Sequence, residues 1–254
     1  MCKGDGRLKI LIVTVAGMSS RFSGSLGYPC LKCIYHEGNI KESLLYRMLH
    51  ISSEFDYYVV VGGFRYEELE KAIVKDFGEF GDKIILVKNE HYVDYGSCYS
   101  LYLGLDRIKD FDFDEVVFAE GDLYVDEESF RKIYEAPNNV ITCNQEAILA
   151  NKAVAFYHDT DNRLHYIYDT SHSALEIREP FLGIFNSGQI WKFADRERLR
   201  KILSSVDIRE WKGTNLVLVQ KYFGTLDRDE YDVVTFQKWI NCNTVSDYKR
   251  IGDG

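Results

Sequence analysis

The chain has 254 residues, of which 46% are hydrophobic and 28% are charged. This composition excludes a mainly disordered protein, because it supplies enough apolar side chains for a full core. The formal net charge of −9 excludes sequence-independent nucleic-acid binding, which needs a basic face that displaces counterions. No segment is long and apolar enough to cross a bilayer, and no signal-peptide pattern follows the first apolar run. We therefore expect a cytoplasmic protein with no membrane partner and with reduced cysteines.

The first half of the chain alternates predicted strands and predicted helices. Runs of β-branched and apolar residues predict strands at 8–15, 57–61, 83–88 and 115–119. Apolar residues at helical spacing predict helices at 39–51, 66–77 and 97–108. This alternation predicts a doubly wound, Rossmann-like α/β sheet with helices on both faces. Ligands of such sheets bind beyond the carboxyl ends of the strands.

The second half is richer in short strands. We predict strands at 140–143, 153–157, 164–168 and 181–185, a hairpin turn at 159–162 and an extended segment at 231–241. Predicted helices cover 189–203, 213–222 and 245–251. No linker separates the two halves, so we expect one domain. Its second half completes a mixed sheet and forms a smaller β-rich lid.

The turn that follows the first strand offers several groups that bind phosphate. Its six residues carry adjacent backbone N–H groups, two hydroxyls and one fixed cation: Ala16, Gly17, Met18, Ser19, Ser20 and Arg21. Such turns form anion-binding nests, and Gly17 lets the backbone approach a ligand closely. The turn lacks the Gly-Lys-Ser/Thr of a P-loop, and an ordinary strand-to-helix turn is the alternative interpretation.

Two further residues are candidates because of where they lie in the chain. Lys32 follows the candidate phosphate turn, within the sequence Cys30-Leu31-Lys32-Cys33. Asp122 follows the fourth predicted strand, where acidic residues commonly hold Mg²⁺ through oxygen ligands. A helix N-cap is the alternative role of Asp122. We interpret the lone CxxC as buried or incidental thiols, because zinc would require a second pair.

The segment from Val15 to Phe22, followed by Lys32-Cys33-Ile34, resembles the signature of the nucleotidyltransferase family with a GT-A-like fold. That family includes sugar-1-phosphate nucleotidylyltransferases and small cytidylyltransferases such as phosphocholine cytidylyltransferase. Segments 60–69, 89–92, 96–101, 121–122 and 239–248 are similar to further family motifs, in the same order. Four departures are Thr14-Val15 in place of Leu-Ala, Ser19 in place of the second glycine, Leu31 in place of proline and Asn243 in place of a common aspartate.

The resemblance implies a nucleotidyltransferase domain over residues 1–254, with a nucleotide-binding half at 1–135 and an acceptor-binding and lid half at 136–254. It implies Mg²⁺-dependent transfer of a nucleoside monophosphate, with CTP favoured, to a small phosphate or phosphonate acceptor. The product would supply an activated precursor for decorating a cell-surface glycan or lipid. Lys32, Arg21 and Asp122 would be catalytic, and Asp122 and Asn243 would hold the metal. The nucleotide would be bound by Ala16, Gly17, Met18, Ser19, Ser20, Arg21, Gly96, Ser97, Ser100 and Glu120.

Several alternatives stay open at this point. One is a sugar-1-phosphate nucleotidylyltransferase that makes a nucleoside diphosphate sugar, and another is a non-catalytic nucleotide-binding relative, which Asn243 favours. A methyltransferase with an α/β sheet is a weaker alternative, because the acidic residue that such an enzyme would carry after its second strand is missing. Trp191, Trp211, Trp239 and the many tyrosines could supply an aromatic cage for a quaternary ammonium acceptor, or they could be core residues. His91 lies near the proposed nucleotide loop, and a homo-oligomer is left open.

Overall fold

A computed structural model describes residues 8–150, 154–167 and 174–252. The elements of the first half are β1 (Lys9–Val15), α1 (Ser20–Leu26), α2 (Leu44–Ile51), β2 (Tyr57–Gly62), α3 (Tyr66–Asp76), β3 (Ile84–Lys88), α4 (Ser97–Arg107), β4 (Glu115–Glu120), β5 (Leu123–Val125) and α5 (Glu127–Glu135). Those of the second half are β6 (Asn139–Asn144), β7 (Ala155–Asp159), β8 (Leu164–Tyr166), β9 (Phe181–Phe193), α6 (Arg196–Ser205), α7 (Ile208–Trp211), α8 (Leu216–Phe223), β10 (Tyr231–Thr235), β11 (Trp239–Asn241) and α9 (Val245–Lys249).

The main sheet is mixed, and its central strand order is β3-β2-β1-β4-β9-β6-β10. The first four of these strands are parallel, and β9 runs antiparallel between β4 and β6. β7 adds to one end of β9 and forms a hairpin with β8 through the predicted turn. The Rossmann-like mixed sheet and the strand-rich second half are therefore confirmed.

Both faces of the central strands are covered, which explains their unbroken apolar sequences. On β1, Ile10 and Ile12 face the layer that contains α4, whereas Leu11 and Val13 face the layer that contains α2 and α5. All four side chains are fully buried. The sheet is thus held rigidly from both sides, and the loops at its carboxyl edge start from fixed points.

The prediction of a helix over 189–203 is wrong in its first part. β9 continues to Phe193, and α6 begins only at Arg196, with the Asp195 side chain as its N-cap. Residues at the end of β9 pair with β4 on one side and β6 on the other, and they are buried. Their tertiary environment therefore overrides an apolar spacing that also suits a helix.

Other elements were absent from the sequence-based prediction. α1, α5 and α7 are helices that it did not include, and β5 pairs antiparallel with β11 in a separate two-stranded sheet. The first residue of the predicted strand at 153–157 and the last residue of the predicted strand at 164–168 lie outside the described residues. Over residues 8–150, 154–167 and 174–252, no helix has the length and apolar character needed to span a bilayer.

Candidate active site

A cavity of about 390 Å³ lies at the carboxyl ends of β1 and β4. All of the residues predicted to form the site line it: Ala16, Gly17, Met18, Ser19, Ser20, Arg21, Lys32, Gly96, Ser97, Ser100, Glu120, Asp122 and Asn243. The structure therefore brings together groups from the first turn, from α4, from the end of β4 and from the segment after β11. Whether each of them binds nucleotide stays a prediction.

The loop after β1 presents unused backbone donors to this cavity. Among the described residues, the N–H groups of Gly17, Met18, Ser19 and Ser20 donate to no protein acceptor. Ser19 has φ 53, in the left-handed region that favours glycine. This conformation explains why a glycine would suit the position and shows that serine still adopts the same turn. The loop can therefore offer several amides to one anion.

Arg21 supplies a cation beside these amides. It lies in the first turn of α1, lines the cavity and is exposed. Within the part of the chain that the structure describes, no carboxylate forms an ion pair with it. Its charge is therefore available to an anionic ligand.

Lys32 and Asp122 form an ion pair at the floor of the cavity. The Lys32 Nζ lies 2.9 Å from Asp122 Oδ2 and also donates to the backbone oxygen of Cys242, at 3.1 Å. The flanking residues Leu31 and Cys33 are buried, so they anchor the lysine backbone. The ammonium group is therefore held in place beside the carboxylate, although 90 residues separate the two in sequence.

Gly121 fixes the position of Asp122. A Cβ at this position would lie 2.3 Å from Cγ1 of Val15, and the Gly121 N–H donates to the Thr14 oxygen at 3.0 Å. Only glycine fits this close approach of the chain to β1. Asp122, two residues after the end of β4, consequently lines the cavity.

The oxygen atoms around Asp122 fit a cation that shares its coordination with a phosphate ligand. Asp122 Oδ1 is buried and has no hydrogen-bond partner within the described residues. The Asn243 Nδ2 donates to Asn241 Oδ1 at 2.9 Å, which leaves the Asn243 Oδ1 as a potential ligand. In the described ranges, no group of three His, Cys, Asp or Glu side chains could hold a metal alone. Mg²⁺ commonly uses one or two carboxylates, waters and substrate phosphates, so these groups suit it.

Glu120 is a second carboxyl group on the cavity, and Asn215 holds it. The Asn215 Nδ2 donates to Glu120 Oε1 at 2.6 Å, and the Asn215 backbone N–H donates to Ser97 Oγ at 3.0 Å. Burial, and secondly the negative charge of Asp122, raise the pKa of Glu120 above its ordinary value. Asn215 could not be predicted from sequence, because 95 residues separate it from Glu120 and no local motif marks it.

Two glycines allow the Asn215 segment to reach the start of α4. A Cβ on Gly96 would lie 2.0 Å from the backbone oxygen of Gly213, and the Gly96 N–H donates to the Trp211 oxygen at 2.9 Å. The segment 211–215 of the second half is therefore packed directly on the amino end of α4. Asn215, the last residue of this segment, lines the cavity.

Aromatic residues also line or flank the cavity. Tyr92 and Tyr95 line it, and the sequence analysis did not select either of them. The Tyr95 ring lies 5.8 Å from Trp211 and 5.0 Å from His91, which is exposed. Trp211 and His91 therefore lie behind Tyr95 instead of lining the cavity themselves.

The three tryptophans do not come together in one cage. Trp191 is fully buried in the core, where its Nε1 donates to the Tyr166 hydroxyl at 2.6 Å. Trp239 packs against a different hydrophobic cluster and donates to the Gly188 oxygen. Only Trp211 lies beside the cavity, so these side chains serve packing.

The CxxC residues are free thiols, as predicted. Cys33 is fully buried, and this burial raises its pKa to about 12. Cys30 packs with the cluster around Phe22, whereas Cys33 packs with the cluster around Leu45. The two side chains therefore serve separate parts of the core.

The sheet order and the position of the cavity are those of an α/β protein with a nucleotidyltransferase-like fold. One similar solved structure is the inositol-1-phosphate CTP transferase from T. maritima, with 16% identity, a TM-score of 0.67 and coverage of 97% of this chain and 96% of that chain. A second is a protein assigned as a glucose-1-phosphate thymidylyltransferase from Bacillus anthracis, with 12% identity, a TM-score of 0.69 and coverage of 96% of this chain and 94% of that chain. A third is the CTP:phosphocholine cytidylyltransferase from Streptococcus pneumoniae, with 15% identity, a TM-score of 0.63 and coverage of 98% of this chain and 99% of that chain.

The chain thus has the fold of these nucleotidyltransferases, which confirms the resemblance seen in the sequence. It belongs to the family described as Domain of unknown function (DUF6564), whose model matches residues 28–254. No curated protein sequence matches it.

Proposed function

We propose that this protein transfers a nucleoside monophosphate from a nucleoside triphosphate to a small phosphate or phosphonate acceptor and releases pyrophosphate. The observation that carries this proposal is the convergence of Lys32, Asp122 and the free amides of residues 17–20 on one cavity. A fold shared with nucleotidyltransferases supports it. Fold alone does not define activity, so the argument rests on the site.

The reaction needs charge compensation more than it needs an enzyme nucleophile. An acceptor oxygen forms a new bond to the α-phosphorus, and the bond to the bridging oxygen of the leaving pyrophosphate breaks, with its electron pair going to that oxygen. The acceptor is already an anion, so little general-base help is required. The loop amides and Arg21 would hold the β- and γ-phosphates. Lys32 would offset charge that develops between the α-phosphate and the acceptor.

Mg²⁺ is the cofactor that we propose. Asp122 Oδ1 and Asn243 Oδ1 would hold it, and the triphosphate would supply further oxygen ligands. When bound, the ion would neutralise phosphate charge and stabilise the leaving group. Because Asn243 is neutral, the protein alone supplies less negative charge than a pair of aspartates would.

We propose CTP as the nucleotide and leave a sugar 1-phosphate as the alternative acceptor. Two of the similar structures are named as enzymes that use CTP, and the third is named for a sugar 1-phosphate. The product would be an activated precursor for a cell-surface glycan or lipid. Each of these points is part of the proposal.

The test is pyrophosphate release from the full-length protein. The assay combines each of four triphosphates with phosphocholine, aminoethylphosphonate, inositol 1-phosphate and glucose 1-phosphate, with Mg²⁺ or with EDTA. We expect release with CTP and at least one acceptor, and loss of release in EDTA. Failure of every pair to release pyrophosphate, at enzyme concentrations that consume the substrate of a known cytidylyltransferase, would contradict the proposal.

A non-catalytic nucleotide-binding protein is the second candidate, and Asn243 is the observation that favours it. Such a protein would keep the fold and the cavity but would lack one acidic metal ligand. A thermal-shift screen with the same triphosphates distinguishes the two, because a ligand that binds only the native state raises the unfolding temperature. Binding without pyrophosphate release would support this second candidate.

A further inference from the structure

The groups that line the cavity are of two kinds. Lys32, Arg21 and the free amides of residues 17–20 can attract phosphate oxygens. Glu120 lines the same cavity, where Asn215 at the amino end of α4 donates to it. Asp122 is paired with Lys32, whereas Glu120 forms no ion pair within the described residues, so its carboxylate repels phosphate oxygens. Glu120 suits an uncharged part of a nucleotide that can donate hydrogen bonds.

Asn215 keeps Glu120 ready to accept such a bond. Asn215 is 2% exposed, and its side-chain amide donates only to Glu120 Oε1, at 2.6 Å. Its backbone N–H donates to Ser97 Oγ, and the hydrogen bonds from Gly96 N–H to the Trp211 oxygen, at 2.9 Å, and from Cys98 N–H to the Gly213 oxygen, at 3.2 Å, hold the segment on α4. In the described part of the chain, no group donates to the second oxygen, Glu120 Oε2. That oxygen is therefore available to a ligand.

We infer that Glu120 accepts a hydrogen bond from the nucleoside part of the bound nucleotide and that Asn215 is its positioning residue. This inference rests on the proposed function. Two groups of a cytidine nucleotide share the required chemistry: the exocyclic amine of the base and the ribose hydroxyls. Both donate hydrogen bonds and carry no negative charge, and acidic side chains accept from the cytosine amine in other recognition sites.

The experiment measures binding by calorimetry at pH 8 with Mg²⁺ and without acceptor. The ligands are CTP, UTP, 2′-deoxy-CTP, 3′-deoxy-CTP and inorganic tripolyphosphate, which has no nucleoside. The variants are Glu120→Gln, Asn215→Ser and, as a matched control on the exposed side of α3, Glu70→Gln. We expect Glu120→Gln to weaken CTP binding about tenfold, which is typical of losing a hydrogen bond to a charged group. Tripolyphosphate binding should change less than twofold.

Asn215→Ser removes the amide but keeps the backbone contact with Ser97. We expect a smaller loss of CTP affinity, about threefold, again with tripolyphosphate unaffected. A merely structural role of Asn215 would weaken both ligands together. Unfolding temperatures of all variants, measured in parallel, identify any variant that fails to fold.

The analogues identify the donor. If the cytosine amine is the donor, Glu120→Gln should abolish the preference of the protein for CTP over UTP. If a ribose hydroxyl is the donor, Glu120→Gln should abolish the preference for CTP over the deoxy-CTP that lacks this hydroxyl. The inference is overturned if CTP and tripolyphosphate weaken equally, if no preference changes, or if Glu120→Gln binds CTP as the wild type does. In these cases the proposed function still stands. Wild-type protein that binds no triphosphate more tightly than tripolyphosphate would overturn both.

Discussion

The two walls of the cavity differ in chemistry and in origin. The first wall comprises the loop after β1, Lys32 and the end of β4, and it supplies the charged groups and the free amides. The second wall comprises Asn215 and Asn243, backed by residues 211–214 and 241–242, and it supplies neutral side chains and the backbone oxygen of Cys242. From this division we expect the loop amides, Arg21 and Lys32 to bind the phosphates and Asn215 to position Glu120.

The difference leads to distinct expectations for substitutions. Changes in the first wall should reduce turnover while the fold stays intact, because its charged groups project into the cavity from a rigid sheet. Changes in the second wall should alter affinity or stability, because its residues act through close packing and hydrogen bonds.

Lys32→Ala should have the largest effect. We expect turnover to fall at least about a hundredfold, because one preorganised charge contact to the transition state is lost. The measurement is the rate of pyrophosphate release at saturating substrates. The matched control is Lys75→Ala, which removes a lysine side chain that is 81% exposed on α3 and should leave turnover unchanged. Turnover of Lys32→Ala within threefold of wild type would remove Lys32 from the mechanism.

Asp122→Asn should abolish saturable activation of the reaction by the metal. The variant keeps the shape of the side chain but removes its negative charge, at a position where the buried Oδ1 has no hydrogen-bond partner in the described residues. We expect turnover at least tenfold lower and a metal titration that no longer saturates, since a hard cation prefers charged oxygen. Unfolding temperature serves as the check on the fold. An unchanged metal titration would count against the assignment of Asp122.

Gly96→Ala should test whether the second wall depends on close packing. The new Cβ would lie 2.0 Å from the Gly213 oxygen, so the segment 211–215 must move. We expect a loss of about 1–3 kcal/mol in the free energy of unfolding, as is typical of overpacking, together with weaker nucleotide binding. Gly24→Ala, at a glycine of α1 with open space around it, should cost no stability. Equal urea midpoints for Gly96→Ala and wild type would refute this packing argument.

Asn243→Asp should strengthen metal binding in the absence of nucleotide. A second carboxylate near Asp122 adds negative charge to the site, so we expect Mn²⁺ to bind about tenfold more tightly. The electron paramagnetic resonance signal of free Mn²⁺ reports this directly. Asn138→Asp adds the same charge in the exposed loop before β6 and is the control. No difference between the two variants would show that Asn243 does not face the metal.

His158→Gln should give the smallest effect, because this residue does not line the cavity. His158 is buried, its Nε2 lies 2.8 Å from the Tyr231 hydroxyl, and burial followed by the charge of Arg228 lowers its pKa below its ordinary 6.5. As the pH falls, His158 therefore binds a proton in the unfolded chain before it does so in the folded protein. The free energy of unfolding of the wild type should consequently be highest above pH 6.5 and decrease on acidification.

Urea unfolding between pH 8 and pH 5 measures that dependence. The variant should show a shallower loss of stability than wild type, whereas His36→Gln, at an exposed histidine, should leave the slope unchanged. Parallel curves for wild type and His158→Gln would show that this histidine does not contribute.

The first wall could be predicted from sequence because the phosphate turn and Asp122 directly follow strands and Lys32 follows that turn. The apolar runs of β1 and β4 are recognisable, and residues after parallel strands meet at one edge of the sheet. Ser19 also illustrates the limit of motif matching: its φ of 53 shows that the turn persists although the glycine of the family signature is absent.

The second wall was not recognisable in the same way. Asn215 and Trp211 carry no local signal, since their positions depend on how the second half packs on α4. The error at 189–195 has a related cause, because β9 lies between two strands that are distant in sequence. Burial on both sides decided its conformation.

The sequence by itself determined the alternating sheet and the charged groups at its carboxyl edge, because strand periodicity and the residues after each strand are local properties. Only the tertiary structure decided which distant groups meet those charges. The 2.9 Å pair of Lys32 and Asp122 and the contact of Asn215 with Glu120 depend on close packing between segments 90 and 95 residues apart. Such contacts follow from the shapes of packed surfaces, which no short stretch of sequence encodes.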